Sequence, residues 1–128
     1  MALMVYDTLT RREQEFIPRD PGKASIYTCG VTPYNYCHVG NARPYLVWDV
    51  IRRYLFYKGY SVRYVQNFTD VDDKIIRRAN EEGTTPLAIA DRYISEYFKD
   101  MDALGIARAD VYPRVTDHIP DIIDMVKQ

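Results

Sequence analysis

The chain has 128 residues, a mass of 15.0 kDa and a formal net charge of −1, from 17 basic and 18 acidic side chains. Its length fits one compact domain with a core, and a hydrophobic fraction of 47% with 27% charged residues excludes a disordered, collagen-like or coiled-coil chain. No apolar run approaches the ~20 residues of a membrane span, and the balanced charge creates no overall field for holding a polyanion.

The N-terminal segment shows no sign of export. Residues 1–7 lack a basic start followed by a long apolar stretch, so we expect no signal peptide. The two cysteines, Cys29 and Cys37, do not make a disulfide framework. We therefore expect a cytoplasmic protein with no membrane partner, in a compartment that keeps thiols reduced.

The first predicted elements form a strand–loop–helix–strand unit. Residues 25–29 are rich in β-formers and predict a strand that ends at Gly30, and a loop with glycine and proline follows. Residues 40–58 predict a helix, and residues 61–67 alternate with period two as a second strand. The apolar residues of this helix fall on one face: Leu46, Val47, Val50, Ile51, Tyr54 and Leu55. The pattern predicts a parallel pair in a Rossmann-like α/β fold with flanking helices.

Three more helices are predicted after the second strand. The first covers residues 72–82 and stops at Gly83. The second has Thr85 as its cap and a proline at its first position, and it ends near residues 104–105. The third begins at Thr116 or Asp117.

The loop before the first helix is the most informative stretch of the sequence. Parallel sheets bind ligands at the carboxyl ends of their strands, and helix N-termini attract phosphate. The loop has neither Gly-x-x-x-x-Gly-Lys nor Gly-x-Gly-x-x-Gly spacing. His38 would donate to a phosphate oxygen, and Gly40 would let a flat base approach the backbone. An ordinary loop histidine and a helix-start glycine fit the same spacing equally well.

Several motifs in this order resemble the cysteinyl-tRNA synthetase family. The run His38-Val39-Gly40-Asn41 is similar to the His-Ile-Gly-His signature of class I aminoacyl-tRNA synthetases. Residues 29–32, 41–44 and 64–80 resemble the cysteine-specific family, and the similarity extends over residues 5–128. The four-residue signature is weak alone, whereas the motifs together are specific.

The resemblance implies an enzyme that activates cysteine with ATP and Mg²⁺ to cysteinyl-adenylate and then transfers it to the 3′ end of tRNA(Cys). His38 would stabilise charge on the ATP phosphates in the transition state. Asn41 stands at the position of the second histidine and would donate a neutral hydrogen bond, and Gly40 would lie against the adenine. The implied cysteine pocket is lined by Cys29, Gly30, Thr32 and Thr69.

The resemblance also assigns Cys29 as the first ligand of a Zn²⁺ ion. From the residue alone, a strand-end cysteine is more often a buried thiol. Zinc prefers a thiolate to a hydroxyl, so the metal would separate cysteine from serine, which a hydrophobic pocket does poorly. The family's other zinc ligands lie further along than residue 128. Cys37 matches none of them and is interpreted as structural.

Other polar and aromatic residues receive simpler interpretations. Asp70, Asp72 and Asp73 suggest either a metal site or a helix start, and carboxylates at a helix N-terminus favour the second. Asp70 is also a weaker pocket candidate. Trp48 is interpreted as packing beside the apolar helix face, and His118 as a surface or capping group.

The whole chain, 1–128, is expected to be the N-terminal part of a catalytic nucleotide-binding domain. The family's second signature, Lys-Met-Ser-Lys-Ser, and its anticodon-binding region are not in the sequence. We expect a monomer with little or no tRNA charging activity by itself. Two alternatives stay open: the related cysteine ligase of mycothiol synthesis, and a non-catalytic nucleotide-binding module. Residues 41–43 and 67–70 favour the synthetase over the mycothiol ligase.

Overall fold

The computed structural model describes residues 3–128 and begins with an exposed hairpin. Strands β1 (Met4–Asp7) and β2 (Arg12–Glu15) pair in antiparallel fashion. The Asp7 carboxylate accepts a hydrogen bond from the Leu9 N–H at 3.1 Å, which stabilises the turn between them. The hairpin thus joins a short, mostly apolar strand to a polar one, and both are largely exposed. No helix within the described residues is long and apolar enough to cross a membrane.

The predicted strand–helix–strand unit is confirmed. Strands β3 (Lys23–Thr28) and β4 (Ser61–Gln66) pair in parallel, and α1 (Val39–Tyr57) connects them. Residues 110–115 run parallel along the other edge of β4, with bridges at Val65–Val111 and Phe68–Arg114. The α/β fold with a parallel sheet and flanking helices is therefore present, and the carboxyl ends of β3 and β4 lie at one edge.

Helix α2 (Asp73–Glu82) follows β4 with the expected boundaries. Its N-cap is Asp72, whose Oδ1 accepts from the Lys74 N–H at 2.8 Å. It ends at Gly83, which has a φ of 64° and so adopts the left-handed conformation that glycine tolerates best. The structure thus confirms that Asp72 acts at a helix start.

Helix α3 (Pro86–Ala103) and helix α4 (Ile119–Val126) complete the chain. The Thr85 Oγ1 caps α3 by accepting from the Ala88 N–H at 3.2 Å. A single turn of 3₁₀ helix at residues 116–118 precedes α4. His118 is exposed, and its Nδ1 lies 2.9 Å from a carboxylate oxygen of Asp121, which fits the predicted surface role.

Helix α1 leaves most of the apolar face that its sequence displays exposed. Four residues of that face are 41–60% exposed: Leu46, Val47, Val50 and Tyr54. Leu55 of that face is buried, and the other buried residues of α1 are Ala42, Tyr45 and Asp49. Asp49 is buried because its carboxylate accepts from the Ala107 N–H at 3.2 Å and pairs with Arg53 at 2.8 Å. Contact with the segment after α3 therefore rotates α1 away from the orientation that its apolar pattern suggests.

The largest buried cluster lies just beyond the carboxyl end of β4. Phe68, at 1% exposure, packs edge-on against Tyr97 of α3, with 5.3 Å between ring centroids. Tyr97 also packs edge-on against Tyr45 of α1 at 5.6 Å. Such pairs add to the stabilisation from burial. The cluster joins the N-terminal half of α1 to α3, and this fixes the position of the loop between β3 and α1. Its buried members are Ala42, Tyr45, Phe68, Ile94, Tyr97, Met101 and Ile106.

Candidate active site

A cleft of about 690 Å³ opens at the carboxyl edge of the parallel pair. The end of β3, the loop up to His38 and the first turns of α1 form most of its wall. Lys74 of α2 and Tyr93 of α3 complete it. Its volume is within the range of small-molecule sites, which is roughly 300–1,000 Å³. The predicted location of the ligand site therefore coincides with a real concavity.

His38 is the N-cap of α1. Its Nδ1 accepts from the Gly40 N–H at 3.0 Å, and the Asn41 Oδ1 accepts from the His38 N–H at 3.1 Å. The two bonds form a capping box. Because Nδ1 is an acceptor, the neutral ring carries its proton on Nε2. The ring lines the cleft and is exposed, so it presents an N–H donor there.

Gly40 provides the space that the His38 ring occupies. A Cβ at residue 40 would lie 2.8 Å from Cε1 and 2.9 Å from Nδ1 of His38. Carbon atoms in folded proteins do not approach this closely without displacement. Any larger residue would thus force the ring out of its capping position. This role is separate from the base contact that the sequence suggests for Gly40.

Asn41 keeps a free donor group. Its side-chain oxygen is engaged by the backbone of His38, while its NH₂ group has no hydrogen-bond partner among residues 3–128. The residue is half-buried and lines the cleft. Its position therefore permits the neutral hydrogen-bond donation predicted from the sequence.

The cleft-side loop passes very close to the backbone beyond β4. A Cβ on Gly30 would lie only 1.5 Å from the carbonyl oxygen of Asn67, so no side chain fits there. The Gly30 N–H donates to the Asn67 Oδ1 at 2.7 Å, and the Thr69 N–H donates to the Val31 carbonyl at 3.1 Å. Asn67 was not among the residues predicted for the site, although its place at the end of the predicted second strand was a usable signal.

The remaining predicted cysteine-pocket residues divide between the cleft and its surroundings. Cys29 is exposed and lines the cleft, and its carbonyl accepts from the Tyr45 hydroxyl at 3.4 Å. Thr32 is half-buried and also lines it. Thr69 is not in the cleft wall, and its backbone is bonded to the loop instead. The structure thus brings together Cys29, Gly30, Thr32, His38, Gly40 and Asn41 and leaves Thr69 outside.

Two residues have positions that the sequence did not indicate. Asp70 is 3% exposed and accepts from the N–H and the hydroxyl of Thr116, at 3.0 and 2.5 Å. It therefore holds the start of the last helical segment and does not line the cleft. Trp48 was interpreted as packing, but its half-buried side chain forms part of the cleft wall.

A buried polar chain supports the floor of the cleft. The Thr28 hydroxyl lies in the cleft wall, 2.9 Å from the Tyr64 hydroxyl. Further in, the Gln66 side-chain NH₂ donates to the Tyr97 hydroxyl at 2.7 Å. Burial raises the pKa values of the Tyr45 and Tyr97 hydroxyl groups above the ordinary value for tyrosine. These side-chain hydrogen bonds link β3, β4 and α3 beneath the site.

The described residues do not complete a metal site. No three His, Cys, Asp or Glu side chains within residues 3–128 are grouped closely enough to hold an ion. Cys29 offers one exposed thiol at the cleft. Cys37 is half-buried against the core, and burial is the main cause of its raised pKa, which fits a structural role. Cys29 is thus available as a single ligand.

Comparison with known proteins gives a consistent family. Residues 15–128 match the family described as tRNA synthetases class I (C) catalytic domain. The chain is 60% identical over 125 residues to a cysteine–tRNA ligase of Carboxydothermus hydrogenoformans, covering 98% of this chain and 27% of that one. It is 63% identical over 124 residues to a cysteine–tRNA ligase of Pelotomaculum thermopropionicum, covering 97% and 26%. The chain spans about a quarter of the length of the curated relatives it matches.

A solved structure supports the same fold. Methionyl-tRNA synthetase of Mycobacterium tuberculosis, in complex with methionyl-adenylate, superposes with a TM-score of 0.69 at 28% identity. The superposition covers 75% of this chain and 19% of that one. The parallel sheet and its flanking helices are therefore those of a synthetase catalytic domain.

Proposed function

The chain belongs to the family of class I (C) tRNA synthetase catalytic domains, and from this premise we propose that it is the N-terminal part of the catalytic domain of a cysteine–tRNA ligase. The proposed reaction joins cysteine to AMP with release of pyrophosphate and then passes cysteine to tRNA(Cys). We also propose that it acts in the cytoplasm. The observation that carries the proposal is the capped, donor-bearing start of α1 in a cleft of about 690 Å³.

The start of α1 suits a triphosphate. Helix N-termini carry partial positive charge, and the first turn of α1 contains no acidic side chain that would cancel it. Two further donors face the same cleft, the Nε2–H of His38 and the side-chain NH₂ of Asn41. Mg²⁺ bound to the ATP would neutralise part of the remaining phosphate charge.

These donors stabilise the charge that develops in the first step. The cysteine carboxylate oxygen attacks the α-phosphorus, the new C–O–P bond forms, and the bond from that phosphorus to pyrophosphate breaks. Negative charge then accumulates on the phosphate oxygens, and donors that are already in place stabilise it without reorganisation. His38 is held for this role because the capping box fixes both its ring position and its tautomer.

Cys29 is proposed as one ligand of a zinc ion that selects cysteine. Its thiol is exposed on the cleft wall next to Gly30 and Thr32, and the other ligands would come from the additional sequence that the relatives possess. When bound, zinc supplies a preference for a thiolate over a hydroxyl. The chain's own contribution is the position of that thiol, set by the end of β3 and by the Tyr45 hydroxyl bond.

A chimeric enzyme tests the proposal. The N-terminal quarter of the Carboxydothermus hydrogenoformans enzyme is replaced by this chain, which is 60% identical to it, and cysteine-dependent exchange of pyrophosphate into ATP is measured. We expect activity, and His38→Ala should lower kcat by about 10²–10³-fold, the range found for a single transition-state donor. His118→Ala is the matched control, since that histidine is exposed and pairs with Asp121 away from the cleft.

Two outcomes would contradict the proposal. One is a folded chimera that carries out no cysteine-dependent exchange. The other is an equal effect of His38→Ala and His118→Ala, which would place His38 outside the chemistry. We also propose that the 128-residue chain alone has little or no tRNA charging activity, and charging at the rate of the chimera would disprove this.

The same chimera tests the role of Cys29. Cys29→Ser should lower bound zinc, measured after gel filtration, and should reduce the preference for cysteine over serine in the exchange reaction. Cys37→Ser is the matched control because that thiol packs against the core. Equal zinc content and equal selectivity in both variants would rule out Cys29 as a ligand.

A further inference from the structure

A second cavity of about 150 Å³ adjoins the cleft on the side of α2. We call it the annex. It shares Tyr34, Asn35 and Lys74 with the cleft, and Arg77, Arg78 and Glu81 complete its lining. His38 and Gly40 do not line it, so the annex extends the cleft away from the start of α1.

The annex carries uncompensated positive charge. Three cations line it against one carboxylate. Arg78 pairs with Glu82, with 2.5 Å between nitrogen and oxygen, and the same carboxylate also pairs with Arg92 at 2.6 Å. Within the described part of the chain, neither Lys74 nor Arg77 forms an ion pair. The two are three residues apart on α2 and thus share a face.

Lys74 is held at the junction of the two cavities. Its Nζ lies 5.3 Å from the centre of the Tyr34 ring, a distance at which the cation is attracted to the ring face. The ring supplies no negative charge, so the ammonium keeps its full positive charge and can still donate to a phosphate oxygen. The side chain is therefore directed to the cavities by a contact that does not neutralise its charge.

We propose that Lys74 and Arg77 bind a phosphate group of a substrate that occupies the cleft. This inference rests on the proposed function, which puts a nucleotide in the adjoining space. Lys and Arg side chains without carboxylate partners are suited to phosphate oxygens. Two sources have this chemistry: the polyphosphate of ATP, with the pyrophosphate it releases, and the ribose-phosphate backbone of a single-stranded RNA end. The exposed rings of Tyr34 and Tyr36 at the rim would stack a base in the second case.

Binding measurements on the 128-residue chain test the annex. The probes are ATP, inorganic pyrophosphate and a single-stranded tetraribonucleotide, each titrated by calorimetry. The double variant Lys74→Gln/Arg77→Gln should weaken at least one probe by about tenfold. The control Arg12→Gln/Arg63→Gln removes the same charge from two exposed arginines that line neither cavity, and it should change binding by less than about twofold.

The probes distinguish the two phosphate sources. Weakening confined to ATP and pyrophosphate assigns the annex to the polyphosphate. Weakening confined to the tetraribonucleotide assigns it to RNA, and the slope of log affinity against log salt should then fall by about 1.4, since each neutralised phosphate of a single strand contributes about 0.7.

Three results would overturn the inference: unchanged affinity for every probe, equal weakening by the control variant, or no binding of any probe by the unmodified chain. Failure of the annex differs from failure of the proposed function. ATP binding that requires His38 but ignores the annex substitutions removes only the annex, whereas a chimera without exchange activity removes the proposed function.

Discussion

Replacing Gly30 by alanine tests the closest backbone approach in the site. The added Cβ would stand 1.5 Å from the Asn67 carbonyl oxygen, so the two segments must separate by at least about 1.5 Å to reach the 3.0 Å limit of real contacts. This movement breaks the bond from the Gly30 N–H to Asn67 and the bond between Thr69 and Val31. Two lost hydrogen bonds at about 1 kcal/mol each, with about 1–3 kcal/mol for overpacking, give a destabilisation of about 3–5 kcal/mol.

Urea unfolding followed by far-ultraviolet circular dichroism measures this loss. A domain of this size should also melt about 9–20 °C lower, at roughly 3–4 °C per kcal/mol. Gly22→Ala is the matched control, because Gly22 has a φ of 73° and open space around it. Its expected cost is about 1–2 kcal/mol, from backbone strain alone. If the two variants unfold at the same urea concentration, the close approach of Gly30 to Asn67 does not exist as described.

Three further predictions concern the cap, the buried carboxylate and the tyrosines. Gly40→Ala in the chimera should lower the rate of pyrophosphate exchange. Adding His38→Ala should lower that rate little further, because both substitutions act through the His38 ring. Multiplicative effects of the two substitutions in a double-mutant cycle would contradict this. Asp70→Ala should lower the free energy of unfolding, measured in urea, by about 2–3 kcal/mol, since two Thr116 donors lose their acceptor. The control Asp73→Ala, at the exposed start of α2, should lower it by under about 1 kcal/mol. The contribution of Tyr45 and Tyr97 to the free energy of unfolding should be constant below about pH 10 and should fall above it. The reason is that the unfolded tyrosines release protons near pH 10, while the folded ones, with raised pKa values, retain them. The urea midpoint should therefore fall less steeply with pH in Tyr97→Phe, since each such group contributes about 1.4 kcal/mol per pH unit.

Local sequence signals predicted most elements of the fold. Thr85-Pro86 and Gly83 mark helix boundaries through capping and backbone conformation, which depend on neighbouring residues only. The alternation in residues 61–67 marks β4 for the same reason. The hairpin of β1 and β2 was not predicted, because its turn depends on the Asp7 side chain and its strands are exposed on both faces.

The candidate site was predicted in part. The position of His38, Gly40 and Asn41 between a strand and a helix was enough to place them at the sheet edge, and the cleft contains all three. Thr69 was grouped with them because it follows the second strand, yet the cleft wall does not include it. Its path depends on how the backbone turns after Asn67, and sequence spacing does not specify that turn.

The sequence by itself determined the order of the elements from β3 onward, the parallel pairing and the family, since these follow from capping residues, periodicity and motif order. Only the tertiary structure decided which side of α1 is buried, that the Asp70 carboxylate serves Thr116, and that Lys74 and Trp48 reach the cleft. Each of these depends on contacts between residues far apart in the chain, such as Asp49 with Ala107. The physical reason is that a hydrogen bond or a packing contact of this kind leaves no periodic trace in the sequence, because its partner is chosen by the meeting of two separate segments in space.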